Sequence, residues 1–334
     1  MKERIKKAES AVLLSIFLSL MVFVGLIIIT IKKSGLYALE TAFIDAKIGY
    51  VFLGFASVVL SYIILFPKWH LFSKQLMLNL KPLQSMVIYL SMYSMDFTPG
   101  RWGRSVSLYT IKKITGRSMS TTFPLIVADV FTDFFSISIV GVFLALLLRK
   151  YAIISLILTF ILLVPFVFLF YEKPFLFLKK RSKNRIINIL VRHGERYFYN
   201  KKLLKKSAYI EAFAFTIPFV LLNGLSILFF MRAFGPNPSF SFLVETTFVF
   251  CFSMMVGALS SIPDGLGVVD AAMITYLGIF FYGNGVSFAI ISAITILFRI
   301  ASIWVIQGIG FILLIYSSKK YWLPRVSNVL PQKS

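Results

Sequence analysis

Ser261-Ile262-Pro263-Asp264-Gly265-Leu266-Gly267 interrupts an apolar stretch running from 242 to 282, and Thr98-Pro99-Gly100-Arg101-Trp102-Gly103 interrupts another near the middle of the first half. Both contain Pro-x-x-large apolar-Gly. Proline removes a backbone donor and glycine opens left-handed conformations, so each stretch ends a helix. Irregular backbone at membrane depth is tolerated only where protein or a water-filled cavity satisfies its polar groups. The two interruptions therefore mark a polar site, and Pro99, Gly100, Gly103, Pro263, Gly265 and Gly267 are read as re-entrant turns that act as hinges. A proline kink or an ordinary loop at each break is the alternative.

The rest of the chain supplies the bilayer. Of 334 residues 58% are hydrophobic and 14% charged, and the mean hydropathy is +0.86. Apolar runs of about 20 residues, the length that crosses a ~30 Å hydrocarbon core as helix, recur from end to end. The expected fold is an all-α polytopic membrane protein forming one domain over 1–334. The first run, 11–31, follows a basic start like that of a signal peptide, but it is long and Thr30-Ile31-Lys32-Lys33-Ser34 offers no small-x-small cleavage site, so it reads as a retained span.

Several chemistries are excluded by what is missing. Cys251 stands alone and His70 and His193 lie far apart, so no disulfide framework or Cys/His metal spacing is present. No phosphate-binding glycine loop, dinucleotide fingerprint or Gly-x-Ser-x-Gly elbow appears. The sequence is read as a non-enzyme without cofactor or metal.

The net charge of +22 is distributed by topology. Lys and Arg crowd 1–7, 67–82, 101–117, 172–206 and 319–333, which the positive-inside tendency places in the cytoplasm together with both termini. Spans at 11–31, 46–66, 121–148, 151–171, 208–231 and 286–316 then close with consistent parity. Between them, 84–98 with 105–114, and 242–262 with 268–282, form hairpins entering from opposite faces. That is the sign of an inverted-topology repeat whose breaks meet near the midplane.

Arg299 sits about 13 residues into the last span, ~20 Å of helix from its start, too deep to snorkel. Intramembrane acids offer partners: Asp96, Asp129 and Asp133 one helical turn apart, Glu211, Glu245, and Asp264 with Asp270 at the second break. Such groups face a bundle interior or cavity. Helix starts after each break present N–H groups suited to an anion. Asp264 and Asp270 read either as headgroup ligands or as helix caps, Asp129 and Asp133 either as a relay or as a structural clamp. Arg101 and Arg104 read either as ligands or as interfacial anchors.

The 172–206 segment carries twelve Lys or Arg and an apolar stripe through Ile186, Leu190, Tyr197 and Leu204, so it reads as a cytoplasmic amphipathic segment lying on anionic inner-leaflet lipid rather than on nucleic acid. Trp69, Trp102, Tyr171, Tyr321 and Trp322 read as interfacial aromatics, and 317–334 as a short basic tail.

Ser261-Ile262-Pro263-Asp264-Gly265-Leu266-Gly267-Val268-Val269-Asp270-Ala271 resembles the Pro-Gly-Gly-hydrophobic-Gly-x-x-Glu-Ala signature of the lysylphosphatidylglycerol synthase transmembrane (flippase-like) family. Pro99 to Arg104 is similar to its Pro-Gly-x-x-Gly-Glu element, and Phe298-Arg299-Ile300 to its late arginine. Four departures stand out: Asp264 for Gly, Asp270 for Glu, Arg104 for an acid, and Val130 for the Arg of Glu-Arg-x-x-Asp. The resemblance implies a stand-alone transport module that moves a phospholipid or polyprenyl-phosphate-linked lipid between leaflets of the cell membrane. Arg299 would take the phosphate, and Asp264 and Asp270 the cationic or hydroxyl part. A proton- or ion-coupled solute transporter using Asp129 and Asp133 stays open, as does a non-transporting partner that presents lipid to a lipid-modifying enzyme such as a glycosyltransferase or synthase. Homo-oligomers are compatible with either.

Overall fold

The computed structural model describes residues 17, 21, 24–25, 27–33, 35–96, 103–149, 151–170, 195–235, 239, 242–260, 262–282 and 286–322. Among them the regular structure is helical, with no named strand. The helices are α1 (Leu36–Ile44), α2 (Ile48–Gln75), α3 (Pro82–Met92, extended by a 3₁₀ turn Tyr93–Met95), α4 (Val106–Thr115) and α5 (Met119–Leu147). After them come α6 (Ala152–Phe170), α7 (Lys206–Ala233), α8 (Leu243–Leu259), α9 (Val268–Phe281) and α10 (Phe288–Trp322). Four of them, α2, α5, α7 and α10, are long and apolar enough to cross a membrane.

The helix order has two similar stretches, each with a long helix (α2, α7), two shorter helices (α3 and α4, α8 and α9) and later a second long helix (α5, α10). α2 and α7 form the most extensive pair, and α3 packs on α10 and α8 on α5. Small residues permit close approaches in the α3–α10 and α7–α8 pairs. A Cβ on Gly310 of α10 would lie 2.8 Å from the Leu90 carbonyl oxygen of α3, and one on Gly224 of α7 would lie 2.7 Å from the Thr247 Cα of α8.

Gly224→Ala is accordingly expected to destabilise the protein by about 1–3 kcal/mol, because the atoms it meets include backbone that cannot rotate away. Gly308→Ala, with nothing within 4 Å of its added methyl, is expected to be neutral or to stabilise by up to about 1 kcal/mol. Thermal unfolding in detergent checks the pair, and equal midpoints would contradict the packing described.

The structure corrects three sequence expectations. The basic stretch after 66 is not a loop: α2 runs through Pro67 to Gln75, carrying Lys68 and His70 with it. Trp69 is not an interfacial aromatic but lies wholly inside the core, beside Tyr89. The basic tail does not begin at 317, since α10 continues to Trp322, whose indole N–H donates to Thr110 Oγ1 at 3.0 Å and whose ring meets Tyr109 edge-on. In each case packing against a neighbouring helix overrides a local polar composition. The short helix α1 was not anticipated. Of the amphipathic segment, 171–194 lie outside the described residues, while Tyr197 and Phe198 pack on Val127 of α5. Tyr171, Ile186, Leu190, Trp102, Pro99, Gly100 and Arg101 lie outside them too.

Candidate functional site

Local backbone geometry explains the second break. Asp264, Gly265 and Gly267 all have positive φ (52°, 62° and 77°), which stops α8 and re-aims the chain into α9. Glycine tolerates this freely, and Asp is among the few other residues that visit the left-handed region. A Cβ on Gly265 would lie 2.5 Å from Val269 Cγ2 and 3.0 Å from Gly257 Cα, so the turn is also closely packed.

Asp270, three residues into α9, reaches back to accept the Gly267 N–H at 2.7 Å through Oδ2. Its other oxygen faces Arg299 Nε at 2.8 Å. The Arg299 Nη2 donates to the Asp264 carbonyl at 3.1 Å, and the Asp264 carboxylate accepts from Gln307 Nε2. Helix α10 thus holds the second break through Arg299 and Gln307. Between them Ile300–Val305 winds as a π-helical turn, a distortion often found at functional sites. The N–H expected to be open for an anion is filled by Asp270, which is both a cap and an ion-pair partner.

A second charged group joins Asp96 and Arg104, described residues on either side of the first break. Arg104 forms a bidentate pair with Asp96, Nε to Oδ1 and Nη2 to Oδ2, both 2.7 Å. Its guanidinium carbon stands 4.7 Å from the Tyr93 ring centre. At 2% exposure Arg104 is a buried ion-pair member and not an interfacial anchor. Asp129 and Asp133 share a cation that sequence reasoning missed. Lys68 of α2, 0% exposed, places Nζ 3.0 Å from Asp129 Oδ1, 3.1 Å from the Asp129 carbonyl oxygen, and in hydrogen-bond contact with Asp133 Oδ1. Arg104 Nη1 lies 3.5 Å from Asp129 Oδ2 and 4.0 Å from Asp133 Oδ2, joining the two ion pairs.

The two groups differ in make-up. In the first half Asp96 and Arg104 pair with each other on either side of the break, and Lys68 of α2 meets the carboxylates of α5; in the second half Asp264 and Asp270 at the break meet Arg299 and Gln307 of α10. Both groups open on one cavity, lined by Arg104 and Asp133 from one half, Asp264 and Arg299 from the other, with Tyr62, Tyr93, Phe219, Phe250 and Phe298 as apolar walls. About 30 Å³ of it is open to water centres, room for about two waters. Gly103, Asp129 and Asp270 do not line it, but Asp129 and Asp270 contact its two arginines. Glu211 is exposed and Glu245 lies in the first turn of α8, away from the break.

Comparison with known proteins finds a family and a relative. The family described as the lysylphosphatidylglycerol synthase TM region matches residues 13–310. A relative named UPF0104 membrane protein, from Methanothermobacter thermautotrophicus, is 24% identical over 238 residues, covering 62% of this chain and 67% of its own.

Proposed function

We propose, from the premise that this chain belongs to the lysylphosphatidylglycerol synthase TM family of membrane proteins, that it is a lipid translocase. In this reading a phospholipid or polyprenyl-phosphate head crosses through the cavity between the two breaks while the acyl chains stay in the bilayer. The observation that carries it is the cavity itself, where cations and carboxylates from both halves converge between helices long enough to span the membrane. Charged groups so far from water are expensive unless they face one another or a polar path.

The geometry supports the following residue roles. Arg299, oriented by Asp270 and by the Asp264 carbonyl, meets the phosphate. Asp264 and Asp133 border the same space and meet hydroxyl parts of the head. The hairpins enter from opposite faces, and the left-handed turns at Asp264, Gly265 and Gly267 are the hinge of the second. The site would alternate between leaflets as one half rocks against the other. Both termini are assigned to the cytoplasm of a cell-membrane protein. No catalytic step is assigned. A cation-coupled solute transporter is the weaker reading, since Lys68 already occupies Asp129 and Asp133.

The test is a leaflet-accessibility assay in vesicles containing fluorescent lipids of several headgroups. Wild type is expected to expose inner-leaflet lipid to an external quencher far faster than protein-free vesicles, with Asp270→Asn intermediate. Equal rates for vesicles with and without protein would reject the proposal.

A further inference from the structure

Resting on the translocase reading, we infer that the cavity selects a lipid with an anionic, amine-free head: Lys68 closes its ammonium site and Arg104 supplies the specificity-determining cation.

An ammonium group carries three donors and no acceptor. Lys68 directs its ammonium to Asp129 Oδ1, the Asp129 carbonyl and Asp133 Oδ1, which are the contacts an amino head would need. The residue is tethered to α2 and fully buried, so a lipid amine would have to expel it from its own helix bundle. The other carboxylates are engaged as well. Asp96 holds Arg104 with both oxygens, Asp270 holds Arg299 and the Gly267 N–H, and Asp264 holds Gln307. Carboxylates outnumber cations among the described groups around the cavity; Asp129 Oδ2 makes no hydrogen bond but stands 3.5 Å from Arg104 Nη1, so most of their acceptor capacity faces cations and donors of the protein and is not directed at a ligand.

Donor capacity is. Asp96 fixes one edge of the Arg104 guanidinium, and Nη1, on the other edge, makes no hydrogen bond although the residue is 2% exposed and lines the cavity. Its nearest carboxylate oxygens, at 3.5 and 4.0 Å, are beyond good hydrogen-bond range. Ser302, in the π-turn of the opposite wall, also has an unpartnered buried hydroxyl. A planar guanidinium gripped on one side presents N–H groups suited to phosphate oxygens. Because Arg299 borders the same space, a phosphate entering it meets one arginine from each half of the repeat.

The experiment is competitive lipid retention by the purified full-length protein, read by native mass spectrometry with equimolar phosphatidylglycerol, lysylphosphatidylglycerol and phosphatidylethanolamine. Wild type is expected to retain phosphatidylglycerol at least about tenfold over either amine-bearing lipid, a difference of about 1.4 kcal/mol. Arg104→Gln alone strands Asp96, so the neutral pair Asp96→Asn/Arg104→Gln is the working variant, and it is expected to bring the ratio close to one. Wild-type preference for an amine-bearing lipid, absence of discrimination, or an unchanged ratio in the double variant would each overturn the inference. Glycerol phosphate, a head without acyl chains, is the remaining arm: displacement of the lipid by it at equal concentration would assign the site to a soluble phosphate and overturn a lipid ligand. Translocation measured on the same preparation separates the two levels. Transport without the headgroup preference sinks this inference alone, and preference without transport sinks the translocase reading.

Discussion

Arg299→Ala is expected to reduce lipid translocation to the protein-free rate and to lower stability by about 3–5 kcal/mol, the range for removing one partner of a buried ion pair. The substitution leaves Asp270 Oδ1 facing a void at 4% residue exposure and removes the Arg299 hydrogen bond to the Asp264 carbonyl at the second break. Folding and transport are separable. Arg299→Ala/Asp270→Asn removes the stranded charge, so most of the stability should return while transport stays lost. Arg299→Lys keeps the charge without the planar fork, and should fold better than it transports. Thermal unfolding in detergent, with the leaflet assay on the same preparations, reads both. Full transport by the double variant would remove Arg299 from the substrate path.

Lys68→Met is expected to have the other large effect, again about 3–5 kcal/mol of destabilisation. It strands two carboxylates on one face of α5, with only the distant Nη1 of Arg104 to offset them. Replacing a whole buried ionic group by neutral residues of similar volume is often close to harmless. Lys68→Met/Asp129→Asn/Asp133→Asn should therefore recover most of the loss, and a triple variant as unstable as Lys68→Met would show that the three do not form one unit. As one unit, the group joins α2 to α5.

The helices were legible in the sequence because a bilayer demands long apolar runs, and α5, α7, α8 and α9 fall close to where composition places them. Asp129 and Asp133 were legible for the same reason, since acids one turn apart in an apolar helix must face inward. Lys68 was not. It follows Pro67 in a run of Lys, Trp and His that looks like a cytoplasmic loop, and the charge rule that orders the topology assigns it to water. Only the continuation of α2 past Pro67 brings it beside α5. Arg104 was ambiguous on the same grounds, because its Asp96 partner lies across a break that sequence cannot fold. Trp69 was misplaced because an indole flanked by charges reads as interfacial. Asp264 shows the opposite case: the departure from glycine in the resembling signature is explained once its φ of 52° is seen, because a short polar side chain tolerates that conformation and its carboxylate gains Gln307.

Passage of a headgroup requires a wet cavity that opens toward both leaflets. Ser302 lines the cavity with an unpartnered hydroxyl, so Ser302→Cys in a Cys251→Ser background places a reporter thiol there with little change in volume. Single cysteines at the exposed Lys202 and Ser239, beyond opposite ends of α7, serve as one-sided controls. In sealed vesicles a membrane-impermeant thiol reagent should modify each control from one face only, and opposite faces, while the thiol introduced at position 302 reacts from either. A position-302 thiol that is inert from both faces, with the controls behaving as stated, would mean the charged groups are sealed packing and would contradict the central claim.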